Sequence, residues 1–166
     1  MAIKKVLITG SCGLVGSEAV RFFSDLGAQV TGVNNDQRGR LFGKEGSITD
    51  TLKNLSGISS YRHHSISIIN KMVLERLLDL AKPDLIIHCA AQPSHEKSAE
   101  VSFEDFMINA VGTLNLLESA RLNCPEAPFI HVSTNKVYGD TPNQLRMLTA
   151  PNSFNASVQV VYREIG

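Results

Sequence analysis

Residues 9–16 read Thr9-Gly10-Ser11-Cys12-Gly13-Leu14-Val15-Gly16, with glycines at i, i+3 and i+6. Before them stands a short apolar run, IKKVLIT at 3–9, of the kind that forms a strand. After them Val15, Ala19, Val20, Phe22, Phe23 and Leu26 recur at helical spacing through 14–26, and Gly27 stands where a helix ends. A glycine turn between a strand and a helix has a physical use. Gly10 permits a sharp exit from the strand, Gly13 removes a side chain where a diphosphate must approach the backbone, and Gly16 lets the helix sit close to the sheet. The helix start then offers unpaired N–H groups and a partial positive charge to an anion. No Gly-Lys-Ser/Thr follows, so the spacing is not that of a P-loop. The competing interpretation is a tight strand-to-helix turn that holds nothing.

The same alternation continues along the chain. Strand-like runs are expected at 29–33 (QVTGV), weakly at 60–68, at 84–90 (DLIIHCA) and at 128–133 (PFIHVS), the last two as strands buried on both faces. Helices are expected at 71–81, with Met72, Leu74, Leu77, Leu78 and Ala81 on one face, and at 103–122, with Phe103, Phe106, Met107, Ala110, Leu114 and Leu117 inward. Residues 34–57 are polar and glycine-rich and predict a long loop with at most a short helix near 51–55. Strands alternating with helices imply an α/β fold, a doubly wound parallel sheet of order 3-2-1-4-5.

Composition bounds the function. Of 166 residues, 43% are hydrophobic, and Lys+Arg (16) equals Asp+Glu (16), which excludes a disordered tail and argues against a nucleic-acid binder. No apolar run is long enough to span a membrane, and the N-terminus leads directly into a strand pattern, so a cytoplasmic protein is expected. Cys12, Cys89 and Cys124 are odd in number and widely spaced; they predict free, buried thiols in a reducing compartment, and no metal site.

Ligands in such sheets lie beyond the carboxyl ends of the strands. After the second strand an acid is expected to bind the adenosine ribose, but Val33-Asn34-Asn35-Asp36 places an amide at the strand end. Arg38 and Arg40 follow; they can meet a 2′-phosphate, which keeps NADP open, or simply form a solvated loop. After the fourth strand come His88, Cys89, Ala90, Ala91, Gln92 and Pro93, whose small residues let a cofactor lie against the backbone; His88 itself reads as a core histidine. His95 lies beyond that strand, as a surface-loop residue or one that could reach a substrate. After the fifth strand, Ser133-Thr134-Asn135 offers hydroxyls for a sugar oxygen, or a polar turn closed by Gly139.

The loop TGSCGLVG, the strand end HCAAQPS, the helix segment INAVGTLNLLE and the run STNKVYGD together resemble the extended short-chain dehydrogenase/reductases, the nucleotide-sugar epimerase/dehydratase group, with a Rossmann-like sheet. NNDQRGRLFG and STNKVYGDTPN are most similar to the CDP-tyvelose (CDP-paratose) 2-epimerases. The resemblance implies NAD as cofactor, with Gly10, Cys12, Gly13, Leu14, Val15 and Gly16 around its diphosphate. It implies Asn34, Asn35 and Arg38 near the adenosine ribose and Ser67 and Ile68 at the adenine, where the family has an acid at the positions of Asn34 and Ser67. Ala90, Ala91, Gln92, Asn109 and Ser133 would serve the nicotinamide half, and Thr134 the substrate hydroxyl. A nucleotide sugar is the implied partner of the complete enzyme; a homo-oligomer is compatible, and neither nucleic acid nor membrane is expected.

One family feature is missing. The catalytic Tyr-x-x-x-Lys pair has no counterpart, because Tyr61, Tyr138 and Tyr162 are followed at that offset by Ser65, Pro142 and Gly166. The expectation is a cofactor-binding domain over 1–144, incomplete after about five or six strands, followed by a divergent segment over 145–166 in which 157–162 has strand character. A truncated product with a shifted frame at its end would account for this, and the chain alone would be inactive.

Overall fold

Lys5–Thr9 forms β1, and Val6, Leu7, Ile8 and Thr9 are all buried. A strand buried on both faces needs cover on both, and the alternation of its side chains shows which elements supply it. Val6 and Ile8 point to a core shared with Val20, Ala28, Leu55 and Tyr61, whereas Leu7 points to a second core with Leu74, Leu78, Ile108 and Leu116. The computed structural model describes residues 3–92, 94, 98, 100–133 and 139. The chain divides into two units, Met1–Val132 and Ser133–Gly166, and the elements named below belong to the first.

In chain order these are α1 (Leu14–Asp25), β2 (Gln29–Val33), α2 (Gln37–Phe42), a 3-10 turn (Gly43–Gly46), α3 (Thr49–Ser56), β3 (Tyr61–His64), α4 (Lys71–Ala81), β4 (Leu85–His88), α5 (Ser102–Phe106), a π-helical segment (Met107–Gly112), α6 (Thr113–Asn123) and β5 (Phe129–His131). The five strands are parallel and ordered β3-β2-β1-β4-β5, as the alternation predicts. Right-handed crossovers put α1 and α3 on one face and α4 and α6 on the other. The start of the β1–β4 pair is fixed by Asp84 Oδ2, which accepts from the N–H groups of Lys4 and Lys5, each at 3.0 Å. Gly27, at φ 82°, supplies the left-handed residue that ends α1.

Three expectations need correction. Residues 34–57 are not a loop: Asp36 organises them into α2, the 3-10 turn and α3. It accepts from the N–H groups of Gly39 (3.1 Å) and Ile48 (3.0 Å) and from the Ser47 hydroxyl (2.9 Å). The long helix presents a different face from the one expected. Ile108, Gly112, Leu116, Ser119 and Ala120 are buried, while Phe103 is 79% and Leu114 58% exposed. The π-helical segment shifts the angular phase of everything after it. Finally, β5 is not buried on both faces, since it is the sheet edge and Ile130 is 48% exposed. Met72 is likewise exposed, so α4 buries a narrower stripe than expected. The strand expected at 157–162 lies outside the described residues.

Candidate functional site

Strand order reverses between β1 and β4, which opens a crevice at their carboxyl ends. A cleft of about 230 Å³ lies there. Gly10 and Gly13 form its β1 side, Asn34, Asn35 and Arg38 its β2 side, Ser67 and Ile68 the end beyond β3, and Ala90 and Ala91 the end of β4. Nine of the residues singled out in the sequence therefore meet in one place. Val33, Gln37, Ile48, Ile66, Cys89 and Ile108 line it as well and were not foreseen.

The glycine turn works by contact as much as by conformation. Gly10 has φ 66°, and a methyl there would lie 2.8 Å from the backbone of Cys89 and Ala90. A methyl on Gly16 would overlap the Gly10 carbonyl oxygen, so Gly16 sets how closely α1 meets the turn. Gly13 differs: it borders the cleft, and apart from Gly10 O at 3.2 Å a methyl there would meet no protein atom. The space it leaves belongs to the cleft and opens onto the first-turn amides of α1, which have no acceptor four residues back. Those amides, with the absence of a Gly13 side chain, fit a diphosphate. Leu14 (85% exposed) and Val15 present their side chains to solvent, and only their backbones face this geometry.

Cys12 is not on the cleft wall. Its side chain is buried beneath the turn with Ser11 and Tyr61. Tyr61 Oη lies 2.9 Å from Ser11 Oγ and 3.2 Å from His63 Nδ1, and its ring lies against Gly32, where a Cβ would collide with it. Burial pushes the Cys12 thiol and the Tyr61 phenol up, so both stay neutral and buttress the turn from below. Ser11 and Tyr61 carried no sequence signal for this.

At the β2 end the cleft carries an unusual charge. Asn34 Oδ1 accepts from Asp36 N–H at 2.9 Å, and the Asp36 carboxylate is engaged three times by its own loop. No carboxylate lines the cleft, and Arg38 is the one cation that does, among the described residues. Beyond β3, Asn115 Nδ2 donates to the carbonyls of Ile68 (3.2 Å) and Ile69 (2.9 Å) and so holds the Ser67–Ile68 turn against α6.

His88 ties the far wall together. Thr113 Oγ1 donates its only proton to Asn109 O (2.7 Å), so it must accept from His88 Nε2–H at 2.9 Å. His88 Nδ1 then accepts from Thr9 Oγ1 at 2.6 Å, and Thr9 Oγ1 in turn accepts from Ala90 N–H at 3.3 Å. Burial, with His131 beside it, pushes the His88 imidazole down to about 4, which suits this neutral tautomer. Asn109 and Gln92 do not line the cleft, but they brace it. Asn109 Oδ1 accepts from Gln92 N–H at 2.9 Å, and Asn109 Nδ2 donates to Asp105 Oδ1 at 2.9 Å. Gln92 Oε1 accepts from Ser94 N–H, which leaves Gln92 Nε2 a buried donor with no acceptor among the described residues. Ser133 belongs to the second unit, and Thr134 and His95 lie outside the described residues.

A parallel sheet with its order reversed at β1, and a glycine turn and helix start facing the resulting crevice, define a dinucleotide-binding α/β domain of the Rossmann type. More narrowly, the chain belongs to the NAD dependent epimerase/dehydratase family, whose profile matches residues 6–158. It is 34% identical over 164 residues to the CDP-paratose 2-epimerase of Salmonella typhi, covering 94% of this chain and 46% of that protein. It is 31% identical over 146 residues to the dTDP-glucose 4,6-dehydratase of Neisseria meningitidis serogroup B, covering 83% of this chain and 39% of that protein. The UDP-Glc/GlcNAc 4-epimerase of Campylobacter jejuni superposes with a TM-score of 0.71 at 25% identity, over 90% of this chain and 43% of that one. WbmH of Bordetella bronchiseptica, solved in complex with NAD+, superposes with a TM-score of 0.67 at 26% identity, over 83% of this chain and 41% of that one. The chain thus spans less than half the length of these relatives. No helix among the described residues is long and apolar enough to cross a membrane.

Proposed function

We propose that the chain is the NAD-holding part of a nucleotide-sugar epimerase, of the CDP-sugar 2-epimerase kind. The observation that carries this is the cleft at the β1–β4 reversal, bordered by Gly13 and the open first turn of α1. Gly10, Gly13 and the backbones of Cys12, Leu14, Val15 and Gly16 would hold the diphosphate. Asn34, Asn35 and Arg38 would meet the adenosine ribose, and Ser67 with Ile68 the adenine. Ala90, Ala91 and Gln92 would flank the nicotinamide ribose, where the free Gln92 Nε2 donor finds an acceptor. Asn109 positions that segment through Gln92 N–H, while Ser133 and Thr134 would orient a substrate hydroxyl. A bound nicotinamide supplies hydride acceptance and return. What this chain's residues contribute is anion binding, orientation and a dry, neutral wall around His88.

With no Tyr-x-x-x-Lys pair in its sequence, the chain binds the dinucleotide and does not turn over a sugar. Calorimetric titration with NAD tests the first half: saturable one-to-one heat is expected. Incubation of the NAD-loaded chain with a CDP-sugar tests the second, and appearance of the epimer would overturn it. A second possibility, a non-catalytic module or a remnant of an epimerase or dehydratase, is favoured by Asn34 and Ser67 where the family has acids. It predicts weak or absent heat in the same titration.

A further inference from the structure

The β2 end of the cleft is built for an anion rather than for a diol. A ribose 2′-hydroxyl is recognised by a carboxylate that accepts its proton, and the same carboxylate repels a 2′-phosphate. Here the strand-end residue is Asn34, whose Oδ1 is already taken by Asp36 N–H, so what it can still offer is its Nδ2 donor. The nearby Asp36 cannot substitute. Its backbone is left-handed (φ 54°), and its carboxylate holds Gly39, Ser47 and Ile48. On the same side stands Arg38, which borders the cleft and makes no ion pair among the described residues. Its guanidinium lies 6.0 Å from the centre of the Phe42 ring, a contact that leaves its N–H fork open. Arg40, two residues on, is instead engaged by Gln37 and Glu104 and is not a cleft residue. One free cation, one free amide donor and no carboxylate therefore face the same corner.

We propose that this cleft accepts a 2′-phosphorylated dinucleotide, NADP, at least as well as NAD, with Arg38 as the phosphate-binding cation and Asn34 as the residue whose neutrality admits it. The proposal rests on the assignment of the cleft to a dinucleotide, and the test separates the two. The chain is titrated calorimetrically with NAD and with NADP at low and moderate salt. Wild type is expected to bind NADP with a dissociation constant equal to or below that for NAD, and the NADP advantage should shrink as salt rises. Arg38→Gln should weaken NADP about tenfold while leaving NAD within about twofold, since one charge-assisted contact is removed. Asn34→Asp keeps the acceptor that caps Asp36 N–H, so the loop folds. It should weaken NADP by about tenfold or more and leave NAD as tight or tighter. NAD binding at least tenfold tighter than NADP in the wild type would overturn the proposal alone. So would an Arg38→Gln variant that weakens both dinucleotides equally. Heat from neither dinucleotide overturns the assignment of the cleft, and the proposal with it.

Discussion

His88 makes folding stability depend on acid in a way that can be isolated. In the native chain the imidazole donates from Nε2 and accepts at Nδ1, and a proton at Nδ1 would confront the Thr9 hydroxyl with a donor. Burial first, and His131 second, hold its pKa at about 4 against an ordinary 6.5. A pKa depressed in the folded state means that the unfolded chain takes up the proton first. Stability is therefore intact above pH 6.5 and is lost as the pH falls towards 4. The gap between the two values corresponds to about 3 kcal/mol in full and to about 2 kcal/mol by about pH 5. Against a urea slope of about 2 kcal/mol/M, that is a midpoint drop of about 1 M between about pH 7.5 and pH 5. His63, also held down by burial, adds loss of the same sign, so the wild type is compared with His88→Asn at each pH. The variant is expected to be less stable at neutral pH but to lose about 2 kcal/mol less on acidification. Parallel midpoint curves for the two proteins across this range would refute the neutral, doubly hydrogen-bonded His88.

Other residues give sharper local tests. Gly16→Ala forces α1 away from the Gly10 carbonyl and should cost about 2–3 kcal/mol, read by urea unfolding, with a parallel loss of dinucleotide affinity. Asp36→Ala removes the cap of α2 and the anchor of Ile48. About 1–2 kcal/mol is expected, with amide exchange of Gly39 and Ile48 rising ahead of the rest of the sheet. Tyr61→Phe leaves Ser11 Oγ without its 2.9 Å partner and should cost about 1 kcal/mol, whereas Ile108→Ala, under the cleft floor, should cost about 2–4 kcal/mol; equal small losses would contradict the packing described.

The central strands were legible because burial on both faces leaves an unbroken apolar run, as in Val6–Ile8 and Ile86–Ile87, and the glycine turn fixed where the first crossover begins. The edge strand was misread because Phe129–His131 is as apolar as a central one; only its lack of an outer neighbour exposes it. The long helix defeated periodicity for two reasons. Its apolar residues go nearly all the way round, from Phe103 and Leu114 to Ile108 and Leu116, and the π-helical turn rotates the second half relative to the first. Residues 34–57 looked unstructured because one side chain, Asp36, in a left-handed backbone conformation, does the organising there. At the site, the cleft-lining glycines and strand ends could be foreseen from position. Gln37, Asn115 and the Ser11–Tyr61 pair could not, because each acts through a contact between elements distant in sequence. The divergent segment expected over 145–166 lies outside the described residues.

The account's core is that the open first turn of α1, uncovered at Gly13, receives the diphosphate of a dinucleotide. Backbone amide NMR shifts during titration with NAD and NADP test this most directly. The account predicts saturable shifts of Gly13, Leu14 and Val15, with those of Asn34 and Arg38 larger for the 2′-phosphorylated ligand. Saturable binding that leaves the Gly13–Val15 amides unmoved would contradict it.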